Sequence, residues 1–203
     1  MHYHGDHTAG DKSLGEHADI IAHNYVKEIL SKSRGQGERK QKAFPSYAQP
    51  NITFNDSMNL YFNHSTVKLI HLRGGHTAGD ILVYFPKQKV LATGDLLFAD
   101  KFPYVDLRHG GNALRYLEQV KQIAERFPDD LTIVGGHGPV YSMKDLQNYY
   151  QTLSETVKVI QQAKEEGQTV KQMKENRILS DWKEFGTSFI SEDFWIETVY
   201  HSL

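Results

Sequence analysis

The sequence predicts a layered α/β protein, and three observations carry that prediction. Short segments rich in β-branched and aromatic residues, separated by polar or glycine-containing turns, fill the middle of the chain. Helical spacing of apolar residues takes over in the second half. Polar clusters fall on the loops that directly follow apolar runs, as they do where strands end on a common rim. With 203 residues, 39% hydrophobic and 24% charged, the chain suits one soluble unit whose core buries roughly 70% of the unfolded surface. It reads as a single domain over 1–203, with a motif-bearing part, 1–140, and a helical part, 141–203.

In order along the chain, residues 18–22 read as a short buried strand. Residues 24–32 read as a helix with Val26, Ile29 and Leu30 on one face. The stretch 32–42 is strongly basic and contains two glycines; it reads as a solvated loop, or as a flap beside a site. Strands follow at 52–54, 59–62, 67–72, 81–85 and 89–92. A helix over 114–127 places Leu114, Leu117, Val120, Ala124 and Phe127 on one face. Residues 131–134 form a buried strand. Ser142 caps a long helix through about Lys164, Thr169 to Gln172 has the form of a capping box, and Ser191 caps the last helix. These helical stripes are core positions.

Several function classes are excluded early. Lys and Arg number 23 against 25 Asp and Glu, a formal charge of −2, so no electrostatic attraction to nucleic acid or an anionic membrane is expected. The apolar runs, such as 81–85, fall far short of the ~20 residues that cross a bilayer. No cysteine is present, which removes disulfides, thiolate ligands and cysteine nucleophiles. The first residues lack a signal peptide's basic and apolar regions. The cytoplasm is therefore the default location, with the periplasm open if a preceding segment carries a signal. The expected partner is a small-molecule substrate.

The histidines, 11 in all, are the anomaly. His2, His4, Asp6 and His7 place four metal-capable side chains within six residues. Residues two apart share one side of an extended segment, so His2 and His4 can face one ion. The turn at Gly5 lets Asp6 and His7 reach a second position. Three later sites share a context: an apolar run, then glycine, then one metal-capable residue. These are Gly74-Gly75-His76, Gly94-Asp95 and Gly135-Gly136-His137. Five histidines and two aspartates suit two borderline-soft divalent ions. One can take His2, His4 and His76; the second can take Asp6, His7 and His137, with Asp95 bridging. A water between two such ions loses a proton near neutral pH and becomes a nucleophile toward a polarised carbonyl or phosphoryl group. Zn2+ is the expected metal, two per chain, with iron or manganese accepted by the same ligand types.

The segments HYHGDHTAG, GGHTAGD, TGD and GGHGPV resemble, in order, the metal-binding motifs of the metallo-β-lactamase superfamily, over residues 1 to about 140. The resemblance implies a four-layer αβ/βα sandwich and the ligand assignment given above. An aspartate at position 95 is the pattern of glyoxalase II and related hydrolases, whereas zinc β-lactamases of the first class carry cysteine there. His2 sets the chain apart from the second class, and His4 from the flavodiiron proteins, which have glutamate at that step. The family carries several strands ahead of the first histidine, whereas Met1 directly precedes His2 here. The sandwich is therefore expected to be N-terminally truncated, with exposed sheet edges and His2 poorly held at a fraying end.

The implied activity is hydrolysis of an ester, thioester, lactone or amide. The alternatives are a mononuclear iron oxidoreductase of the same fold, similar to the persulfide dioxygenases, and an inactive metal-binding remnant. Asp6 is also the candidate catalytic proton acceptor. Thr8, Thr77 and Asp80 are candidates for orienting the imidazoles. Tyr104 or His109 can offer a hydrogen bond to an oxyanion. His17, His23, His64, His71, His109 and His201 fit no ligand position.

Overall fold

In the computed structural model, which describes residues 1–35 and 41–203, the first part of the chain forms α1 (Gly5–Thr8), α2 (Asp11–Leu14), β1 (Ile21–His23), α3 (Asn24–Leu30) and β2 (Ile52–Phe54). β1 and β2 pair in parallel, with Ile21 opposite Ile52 and His23 opposite Phe54. The alternating middle of the chain then closes into one five-stranded sheet: β3 (Ser57–Phe62), β4 (Ser65–His71), β5 (Ile81–Phe85), β6 (Val90–Phe98) and, after the helix α4 (Ala113–Arg126), β7 (Thr132–His137). Pairing is antiparallel through β6, with short turns between β3 and β4 and between β5 and β6 and a longer loop, 72–80, between β4 and β5. β7 joins β6 in parallel, as a helical crossover requires. Helices α5 (Met143–Glu165), α6 (Val170–Glu175) and α7 (Glu192–Ser202) complete the chain.

Alternation along the strands sorts side chains into two interfaces. Leu82, Leu91 and Ile133 face the helices and pack with Tyr116, Val120 and Ile123 of α4, Leu146 and Leu153 of α5, and Trp195 of α7. The opposite face presents Leu69, Ile81 and Val83 to Phe54 and Ile21 of the two-stranded pair. Ala22, the neighbour that points the other way, packs with Val26 and Leu30 of α3. The order is therefore α3, the two-stranded pair, the large sheet, then α4, α5 and α7: the four-layer αβ/βα arrangement. The two-stranded layer is small among the described residues, and a cavity of about 520 Å³ lies against Leu60, Val67, Leu69 and Val83. Tyr61 and Phe62 on the edge strand β3 are largely exposed.

Helix starts follow the capping residues. Asn112 accepts from the backbone of Leu114 and Arg115. Ser142 with Asp145 and Thr169 with Gln172 form complete capping boxes, and Ser191 accepts from Phe194. Boundaries shift where pairing decides them. The strand expected at 18–22 begins only at Ile21, where β2 becomes its partner, and the helix expected over 24–32 ends at Leu30. The run expected to stop at 92 continues to Phe98, because β7 lies alongside and pairs Gly94 with Gly135 and Phe98 with His137. The register shifts on both sides of Gly94, whose φ of +57° glycine adopts without strain. Gly135 is needed for closeness, since a Cβ there would stand 2.7 Å from the Leu97 carbonyl oxygen. The basic loop is described only at its ends, where Arg34 and Gln41 exchange backbone hydrogen bonds of 2.9 and 2.8 Å; residues 36–40 lie outside the described residues.

Candidate metal centre

His2 is not frayed. The Met1 backbone pairs with Ile81 on β5 in both directions, at 2.9 and 3.0 Å, and the His2 ring is buried. His4 follows in extended backbone and stands at the N-terminus of α1, so the next residues turn sharply and carry Asp6 and His7 round to face it. His76 sits on the loop after β4, and His137 ends β7. Asp95 lies inside β6, not beyond it as the sequence suggests. The register shift beside Gly94 turns its carboxylate toward the histidines.

Two groups result, and they contain all seven predicted ligands: His2, His4, His76 and Asp95, and Asp6, His7, His137 and Asp95. In the first, His2 Nε2 stands 2.6 Å from His4 Nδ1, and His76 Nε2 is 3.0 Å from each. Asp95 Oδ2 is 3.4 Å from His76 Nε2 and 3.8 Å from His2 Nε2. In the second, Asp6 Oδ2 is 3.3 Å from His137 Nε2 and 3.6 Å from His7 Nε2. Asp95 lies within 2.9 Å of His7 through Oδ1 and 3.5 Å of His137 through Oδ2. Four ligands at about 2.0–2.1 Å around one tetrahedral ion stand roughly 3.3 Å apart, which is the scale of both groups.

The proton positions make the fit chemical as well as geometric. His4 Nε2–H donates to Asp106 Oδ2 at 3.0 Å, and His76 Nδ1–H donates to the Tyr104 carbonyl at 2.6 Å. In neutral rings this leaves bare lone pairs on His4 Nδ1 and His76 Nε2, which face each other at 3.0 Å. Opposed lone pairs repel unless a cation lies between them. Asp95 Oδ1 is likewise buried without a well-formed hydrogen bond. Burial, reinforced by His76 and His7 beside it, holds His2 far below its ordinary pKa, and burial pushes His76 down to about 4. Both rings are thus neutral at physiological pH, the form that binds metal. Burial opposes ionisation of Asp95, but His7, His76 and His137 outweigh it and hold the carboxyl below its usual value.

Asp106 is the residue that sequence reasoning missed. Its Oδ2 accepts from the Tyr3 hydroxyl at 2.5 Å, from His109 Nδ1 at 2.8 Å and from His4 Nε2. Its backbone N–H donates to the His76 carbonyl at 2.9 Å. Burial would raise its pKa, yet the bonds from His4, Tyr3 and His109 hold it well below the carboxylate range. The residues expected to orient the rings do something else. Thr8 bonds the backbone carbonyls of Tyr3 and His4, and Thr77 bonds Asp80 through both its amide and its hydroxyl. The Asp80 carboxyl, pushed up to about 6 by burial, bonds Thr77 and so fixes the loop, while the Asp80 carbonyl faces His71 Nδ1 at 2.9 Å. His109 is in neither group and instead braces Asp106. His23 and His71 stack with ring centres 3.8 Å apart and belong to neither group. Tyr104 lines the cavity of about 610 Å³ that opens on His4, Asp6, Asp95 and His137.

A four-layer sandwich of hydrolase-like fold thus gathers five histidines and two aspartates into two groups that could hold metal. The family comparison agrees: the model of the metallo-beta-lactamase superfamily matches residues 2–137, and the chain belongs to that superfamily. A protein of Aquifex aeolicus (strain VF5), described as uncharacterised, is 30% identical over 89 residues, 44% of this chain and 41% of that protein. The chain thus matches less than half the length of this curated relative. Among solved structures, a metallo-beta-lactamase from Pontibacter korlensis superposes with a TM-score of 0.59 at 20% identity, over 75% of this chain and 66% of its own. The BLEG-1 B3 metallo-beta-lactamase gives 0.61 at 23% identity, over 75% and 74%. At these identities the likeness shows the fold.

Proposed function

We propose that the chain is a dinuclear zinc-dependent hydrolase acting on an ester, thioester, lactone or amide. The observation that carries this reading is Asp95: one carboxylate faces both ligand groups, Oδ2 toward His76 and His137 and Oδ1 toward His7. His2, His4 and His76 would hold one ion, and Asp6, His7 and His137 the other. When bound, such a pair supplies Lewis acidity and acidifies a water molecule enough for hydrolysis near neutral pH.

The chain's own groups have distinct tasks. Asp6 is half exposed and directs Oδ2 toward the cavity between His7 and His137, where it can accept a proton from the attacking water. Burial, with Asp106 nearby, raises the Tyr104 pKa and keeps its hydroxyl a donor, able to bond an oxygen that gains charge in the transition state. Asp106 sets the His4 tautomer, so that Nδ1 is the ligating atom. Phe98 and Phe189 add apolar wall to the same cavity and favour an apolar acyl group there.

Elemental mass spectrometry of the purified protein is expected to find two zinc ions per chain. Asp95→Ala and His76→Ala are expected to lose both metal and turnover of a thioester and lactone panel. Full activity in either variant refutes the assignment. One iron per chain with oxygen consumption would move the protein to the oxidoreductase class.

A further inference from the structure

A second cavity, of about 730 Å³, lies beside the metal-facing one, and His4 and Tyr104 line both. Among the described residues its fixed charges are one-sided: Lys12, Arg34, Lys42 and Arg108 line it against one carboxylate, Asp106, which already accepts from Tyr3, His4 and His109. The ion pairs that lysines and arginines make among the described residues lie elsewhere on the surface. Two of the four cations are held in place by aromatic faces: the Arg34 guanidinium lies 4.9 Å from the Tyr3 ring centre and the Lys12 ammonium 4.4 Å from that of Phe44. Such contacts orient the charge without using its N–H donors. Arg34 also donates to Gln41 Oε1 at 3.0 Å, yet its Nε is buried with no partner among the described residues. A buried, unpaired, charged donor is costly unless an acceptor meets it.

We infer that this cavity binds an anionic group of the substrate, a carboxylate or a phosphate. This rests on the hydrolase reading above: with His4 in the wall between the cavities, a substrate whose cleavable bond lies at the metal centre can lay its anion among Lys12, Arg34, Lys42 and Arg108. Phe98 and Phe189 border the other cavity, so the substrate is asymmetric, apolar on one side of the cleaved bond and anionic on the other. Arg34 is the principal anchor, since a planar guanidinium meets a carboxylate or phosphate in two bonds.

Two measurements test this on the full chain. With cobalt-loaded protein, ω-mercaptocarboxylates of increasing length are compared with uncharged alkanethiols of matched length, read by the sulfur–cobalt charge-transfer band. The best carboxylate is expected to bind at least about tenfold tighter, and the Arg34→Gln, Lys12→Gln double variant is expected to lose most of that ratio. Equal affinity of charged and uncharged thiols overturns the anion site and leaves the hydrolase reading standing. Failure of every thiol to reach cobalt counts against the hydrolase reading. The metal-free protein then still decides on the pocket, by calorimetric titration with inorganic phosphate and with succinate. Heat of binding lost in the double variant supports the site, and phosphate alone, succinate alone or both identify the anion accepted. No binding of either, or binding undiminished in the variant, overturns it.

Discussion

Replacing Asp106 with asparagine tests the division of labour at the metal centre most directly, because the change is nearly isosteric and Asp106 is in neither ligand group. Three donors converge on its Oδ2: Tyr3 Oη at 2.5 Å, His109 Nδ1 at 2.8 Å and His4 Nε2 at 3.0 Å. A hydrogen bond to a charged group contributes about 1.5–3 kcal/mol, against about 0.5–1.5 for a neutral one. The loss at His4 alone is therefore about 1–2 kcal/mol, or roughly five- to thirtyfold in affinity. If the amide turns its NH2 to His4, the proton moves to Nδ1, the atom that faces His2 and His76, and the loss approaches the hundredfold end seen for groups that orient metal ligands. Competition for zinc with a chromophoric chelator should show the first group weakened by about ten- to a hundredfold. The second group should change far less, since none of Asp6, His7 or His137 bonds Asp106. Asp106→Glu, which restores charge at the wrong reach, should recover little. Zinc binding at the first group equal to that of the parent protein would refute the positioning role. Equal weakening of both groups would point to general destabilisation, and a thermal melt would show it.

Two further outcomes follow from the geometry. Gly136→Ala builds a Cβ into the Asp95 carboxylate and 3.0 Å from the Gly94 carbonyl carbon; it should lower zinc in both groups while circular dichroism stays native, and full zinc content would show that Asp95 can be displaced without harm. The metal-free protein should lose stability to urea as pH falls from 6.5 toward 4. The folded-state pKa values of His2 and His76 lie below 6.5, so in that window the unfolded chain binds more protons and stability rises with pH. Asp80, raised to about 6, works the other way between 3.8 and 6 and offsets part of this dependence without reversing it; a flat profile would contradict the buried, neutral histidines.

Much of the site was legible in the sequence because its ligands carry their own signature. His2, His4, Asp6 and His7 are dense enough in one segment to imply an ion, and His76, Asp95 and His137 share the context of apolar run, glycine and ligand. Capping residues marked the helix starts for a similar reason: Ser142, Thr169 and Ser191 act on their own backbone within three residues. Asp106 was not legible. Its partners are Tyr3 and His4, more than a hundred residues away, and His109, three residues on; one aspartate in a loop has no local pattern to betray it.

Thr77 and Asp80 show the reverse error. Close to His76 in sequence, they bond each other, while the carbonyl that orients His76 comes from Tyr104, twenty-eight residues on. Strand ends differ from the local signal for a related reason. Gly94 and Gly135 look like terminators, yet β6 and β7 pair through them, because a parallel partner supplies hydrogen bonds that local propensity cannot register. Residue types and their local spacing mark which side chains can hold metal and which segments are apolar on one face, and with them the layered fold. That Asp95 faces both groups, that Asp106 bonds His4, and that Lys12, Arg34, Lys42 and Arg108 meet in one cavity are outcomes of packing. Those outcomes depend on contacts between segments far apart in the chain, and such contacts exist only once the layers have packed.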